Sequence, residues 1–123
     1  MKYLWKLPIR TVSECNVCQH WTERKKRKDI QKSFVRRHYE KENPTIKFPC
    51  IITLTRIAPR ALDDDNLRSS MKTIRDSIAD CITPGLAPGR ADNRKDIDWM
   101  YEQKKGVPHE YAVEIEICGI KEC

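Results

Sequence analysis

Residues 49–57, Pro-Cys-Ile-Ile-Thr-Leu-Thr-Arg-Ile, constrain this chain more than any other stretch. They are β-branched or apolar on both sides of an extended chain, the pattern of a strand in the middle of a sheet. Pro59 closes the run. A helical pattern follows over about 66–82, where Leu67, Met71, Ile74, Ile78 and Ile82 recur at spacings of four, three, four and four. A central strand that hands over to an amphipathic helix commits the chain to packing helices with a sheet. With 123 residues there is room for one core, so residues 1–123 are expected to form a single domain.

The remaining elements follow from their periods. Residues 2–7 alternate Tyr3, Trp5 and Leu7 against Lys2, Leu4 and Lys6, a first strand closed by Pro8. A helix is expected over about 19–41, with Ile30 and Phe34, then Val35 and Tyr39, as its short apolar stripe, and with Asn43-Pro44 as its stop. Pro84, Gly85, Pro88 and Gly89 make a loop that runs to Asp92. Residues 97–103 and 110–117 both alternate, and the link Lys104–His109 contains turn residues that suit an antiparallel hairpin. The expected fold is α+β, a mixed four-stranded sheet covered by two helices in the order β-α-β-α-β-β.

No apolar run approaches the roughly 20 residues of a membrane span. The N-terminus, Met-Lys-Tyr-Leu-Trp-Lys-Leu-Pro-Ile-Arg, lacks the apolar stretch and cleavage site of a signal peptide. A soluble, cytoplasmic protein without a membrane partner is the expectation. Six cysteines are present, and Cys15-x-x-Cys18 has the spacing of half a zinc site. Cys118 and Cys123 make a poor second half, because four residues separate them. Cys50 and Cys81 fall at apolar positions of a strand and a helix, so reduced thiols are the default expectation.

Charge gives the first hint of function. The chain has 24 Lys and Arg against 18 Asp and Glu, a net charge of +6, which favours polyanionic partners. Nine of the cations lie between Arg24 and Lys41. Arg24, Lys25, Lys26, Arg27, Lys28, Lys32, Arg36 and Arg37 cannot all be core, and phosphates suit them as partners as readily as water does.

Acids gather instead at Asp63-Asp64-Asp65, where the strand hands over to the helix. Capping explains one acid there, Asp65 or the neighbouring Asn66 being the natural cap. Three adjacent carboxylates repel one another unless a cation offsets them. A calcium loop does not fit, since the glycine and distal glutamate of an EF-hand are missing. On a helix of 100° per residue, Asp65, Ser69, Lys72 and Asp76 share a narrow arc opposite the apolar face. A Lys72–Asp76 ion pair on a solvated face is the plain reading of that arc. The combination of acids, a lysine and a further acid at Asp92 suits phosphodiester cleavage. Hard oxygen ligands hold Mg²⁺ or Mn²⁺, and a lysine neutralises charge that develops on the phosphorane or leaving group. Asp63 and Asp65 would point to one side of an extended segment and Asp64 to the other.

The pattern Asp63-x-Asp65-Asn66-Leu67, Lys72-x-x-x-Asp76, a glycine-containing loop and Asp92 resembles the RusA family of phage and prophage Holliday-junction resolvases. Leu7-Pro8 followed by a loop Asn16, and Trp99 seven residues after Asp92, agree with that family's pattern. The resemblance covers most of the chain and is strongest from Cys50 to Ile117. It implies a homodimer that binds four-way junctions and nicks them with Mg²⁺, without a small-molecule cofactor. Asp63, Asp65 and Asp92 match the family's catalytic, metal-binding aspartates, and Lys72 matches its catalytic lysine. Arg24, Lys25, Arg27 and Lys28, with Arg60, are the expected DNA contacts. Three departures stand beside the likeness. Lys72 lies three residues further from Asn66, Asp92-Asn93 holds one carboxylate where two are common, and Pro8-Ile9-Arg10 replaces a double proline.

Overall fold

The structure, a computed structural model, describes residues 1–12, 21–84 and 94–120. Its elements run β1 (Lys2–Leu7), α1 (Trp21–Glu42), β2 (Cys50–Ala58), α2 (Asp64–Ile82), β3 (Ile97–Lys105) and β4 (Ala112–Gly119). This is the expected α+β order, and the four strands form one mixed sheet. The chain divides into two compact units. One holds residues 1–11, 43–61 and 93–123 and contains the sheet; the other holds 12–42 and 62–92 and contains the helices.

Within the sheet the strand order is β1-β4-β2-β3. β2 pairs antiparallel with β4 along one edge and parallel with β3 along the other, while β1 pairs antiparallel with β4. Trp5, Ile115, Leu54 and Tyr101 therefore lie in one row across the sheet, next to a row of Tyr3, Ile117, Ile52 and Trp99. Ile52, Leu54, Ile115 and Ile117 on this face are fully buried. The opposite face is mixed. Leu4 and Met100 are exposed there, and Lys2–Glu116 and Lys104–Glu114 pair at 3.6 and 3.1 Å.

The expected hairpin between the last two strands does not form, because β2 lies between them. Strands sit about 4.8 Å apart, so the link from Gly106 to Tyr111 has to step over one strand, some 10 Å, which six residues span easily. Burial explains the choice. Val113, Ile115, Ile117 and Cys118 are buried and belong to a strand paired on both edges. β3 carries exposed Asp98, Met100, Glu102, Lys104 and Lys105, the charged make-up of an edge. The turn that starts the link is tight. A Cβ on Gly106 would meet Glu110 Oε1 at 2.6 Å, so no side chain fits there without a shift.

In the helical unit, α2 buries Leu67, Met71, Ile74 and Ile78, as its spacing predicts. α1 meets expectation only in part, since Val35 of its expected stripe is buried. Its buried positions are Gln31 and Val35, whereas Ile30 and Phe34 are 57% and 38% exposed. Ile30 and Phe34 lie about 100° round the helix from Gln31 and Val35 respectively, so a narrow contact stripe leaves them outside. The two helices are in contact with each other. No helix of the described residues is long and apolar enough to cross a membrane.

Just before β3, Arg94 clamps Asp96. Its Nε and Nη2 donate to the two carboxylate oxygens at 2.8 and 2.6 Å, and the guanidinium stacks 3.7 Å from the centre of the Phe48 ring. The hydrogen bonds from Arg94 hold the Asp96 carboxyl below the usual carboxylate range. A depressed native pKa adds stability above the unfolded value of about 3.9 and loses it as pH falls through the native one. Asp96→Asn is thus expected to lower the Tm at neutral pH, and the gap from wild type should close below about pH 4. A gap that is constant from pH 7 to pH 2 would contradict the clamp. On the buried face, Ile115→Ala should cost about 3 kcal/mol in urea denaturation. Leu4→Ala, on the mixed face, should stay within about 0.5 kcal/mol.

Candidate functional site

The acidic run occupies the first turn of α2. Asp63 has extended backbone angles, φ −69° and ψ 170°, and its side chain accepts a hydrogen bond from the Asn66 N–H at 2.9 Å through Oδ1. Its carbonyl accepts the Leu67 N–H at 2.8 Å. Asp63 is therefore the cap, a role expected of Asp65 or Asn66. Asp64 and Asp65 already belong to the helix, so strand alternation does not separate Asp64 from its neighbours. All three carboxylates are exposed. The positive end of the helix dipole favours anions here and eases their mutual repulsion.

Lys72 stands seven residues after Asp65, two helical turns on, within about 20° of the same line and about 10 Å along the axis. It is exposed, and helical side chains lean toward the N-terminus, so it leans toward the acids. The Lys72–Asp76 ion pair of the plain reading does not form among the described residues. Asp92 and Asn93 lie outside the described residues. Among those described, no group of three or more His, Cys, Asp or Glu side chains converges as a metal cage.

The donor chemistry nevertheless fits magnesium. That ion keeps several waters and uses one or two carboxylates rather than a closed protein cage. Asp65 and Asp64 offer whole carboxylates, and Asp63 offers Oδ2 beside the oxygen engaged in the cap. Asp63 and Asp65 thus remain in one turn as ligand candidates.

The expected DNA contacts divide. Lys25 and Lys28 on α1 are exposed, and Lys25 pairs with Asp29 at 3.8 Å. Arg24 and Arg27 are only half-exposed, because they flank the Gln31–Val35 stripe. The outward face instead presents Lys32, Arg36 and Arg37, which line a depression of about 440 Å³ with Asp29, Ser33 and Glu40. Their positions follow one or two residues after Gln31 and Val35, a signal that is legible only once the buried stripe is known. Arg60 is exposed in the sheet unit.

Cys50 and Cys81 are free, and burial pushes both thiols up, which makes them small hydrophobes rather than nucleophiles. Cys118 is in a disulfide, which corrects the expectation of reduced thiols at that position. Cys15 and Cys18 lie outside the described residues. No family model matches this chain, and comparison with curated proteins gives no match.

If Asp63 is the cap, Asp63→Ala should cost about 1 kcal/mol of stability. Asp65→Ala should change stability by no more than about 0.5 kcal/mol. Urea denaturation followed by circular dichroism separates the two. Equal losses would contradict the assignment of the cap.

Proposed function

We propose that the chain is a magnesium-dependent, structure-selective endodeoxyribonuclease that cleaves phosphodiester bonds in branched DNA. The expected substrate is a four-way junction in phage or prophage recombination or repair, cut by a homodimer. The observation that carries this reading is the pairing of three exposed carboxylates at the N-terminal end of α2 with Lys72, which has no acidic partner among the described residues, on the line of Asp65. The likeness to the RusA family points the same way.

In this reading Asp63 and Asp65, joined by Asp92, hold the metal. Bound magnesium supplies polarisation of a phosphoryl oxygen and an activated water. Asp63 is held in place by its own cap hydrogen bond, which fixes one ligand at the cost of one oxygen. Lys72 balances the charge that builds on the reacting phosphate. The cations of α1 contact the backbone of the substrate, and Arg60 in the sheet unit is a further expected phosphate contact.

A non-catalytic, branched-DNA-binding accessory protein is the second reading. Capping by Asp63 and the helix dipole account for part of the acid cluster without any metal, and Asn93 replaces a second acid.

A labelled four-way junction, with linear duplex as control, distinguishes the two. Paired nicks in Mg²⁺ or Mn²⁺ are expected, with a drop of at least about 100-fold in Asp65→Asn while its circular dichroism stays unchanged. Binding that weakens steeply with salt, but with no nick under either ion, would give the accessory reading. Cleavage that persists in Asp65→Asn would remove the site from α2.

A further inference from the structure

Arg56 is anomalous in the sheet. It stands on the apolar face of β2, in line with Ile52 and Leu54 and opposite Val113, and it is only 7% exposed. Its Nε donates to Thr11 Oγ1 at 3.1 Å and its Nη1 donates to the Arg60 carbonyl at 2.6 Å. Both partners are neutral. A guanidinium carries five N–H donors, so three have no partner among the described residues.

The charges nearby deepen the anomaly. Arg10 is exposed and stacks over Tyr111 at 4.3 Å, close enough that its charge acts on Arg56. Burial, and then Arg10, push the Arg56 guanidinium below its usual range, with the Tyr111 phenol opposing them. No acidic side chain among the described residues pairs with either arginine. Among the described residues, two like charges, one of them buried, are thus held together without a counter-ion. A buried charge left in that state is costly, and a neutral residue would fill the same space at less cost.

We propose that Arg56 and Arg10, beside the Thr11 hydroxyl, form a binding site for a phosphodiester group of nucleic acid. A planar fork with unused donors matches two phosphate oxygens, and a second cation adds charge. The choice of a polymer over free phosphate rests on the nucleic-acid reading above.

The test has two arms, both without divalent ions. In the first, the Tm of the whole chain is compared in phosphate and in chloride at equal ionic strength. Wild type should gain on the order of 5 °C at saturating phosphate, and Arg10→Gln and Arg56→Met should not. Arg10 is exposed, so its variant remains informative even where Arg56→Met fails to fold. In the second, the affinity for linear duplex DNA is followed against salt. Arg10→Gln should flatten the log–log slope by about 0.9.

Loss of the phosphate effect together with a flatter slope supports the site. A phosphate effect with an unchanged slope overturns the polymer and leaves a site for free phosphate. Absence of both overturns the site. Binding is read here without divalent ions and cutting in the junction assay with them. A chain that binds in this way yet never cuts therefore refutes the nuclease reading alone, and a chain that cuts there with an unchanged slope here refutes this inference alone.

Discussion

The pairing of β2 along both of its edges is the constraint on which the sheet depends. With β4 on one side and β3 on the other, the buried strand is paired along both edges, and an unpaired donor or acceptor there would be costly. That requirement orders the rest. β4, equally apolar, takes the second central place and leaves its other edge to β1, and the charged β3 ends the sheet. The parallel pairing of β2 with β3 also needs a long connection, which the segment containing α2 supplies. The turn before α2 is therefore fixed at its strand end by β2 and at its helix end by the Asp63 cap.

Local periodicity made most of the fold legible. The alternation of Tyr3, Trp5 and Leu7, the run at 50–58 and the four-three-four-four spacing of α2 each specify an element through its own neighbours. Strand order is a different kind of information. A turn such as Gly106–Glu110 looks alike whether it joins adjacent strands or steps over one, and only the competition for the edges of β2 decides. The Ile30–Phe34 half of the stripe on α1 failed for a related reason. Ile30 and Phe34 are the larger apolar pair, but a helix rich in Lys and Arg touches its surroundings along a narrow line, and that line passes through Gln31 and Val35.

At the candidate site the residue types were legible and their division of labour was not. Three aspartates before an apolar helix announce a helix start, yet which of them caps depends on where the chain leaves extended geometry. That point is Asp63, so the residue proposed above as a metal ligand also holds the helix. The proposed role and the cap are compatible because a carboxylate has two oxygens and the cap uses one.

The distribution of charge carries the argument furthest. Lys25–Asp29, Lys2–Glu116 and Lys104–Glu114 pair at the surface, where such contacts contribute little. Among the described residues, Arg56, for which an acid would matter most, has only a hydroxyl and a carbonyl as partners, and neither Arg10 nor Lys72 pairs with an acid. On the reading proposed above, the external anion for such a fork of guanidinium donors, in a chain of net charge +6, is the phosphate of a nucleic acid.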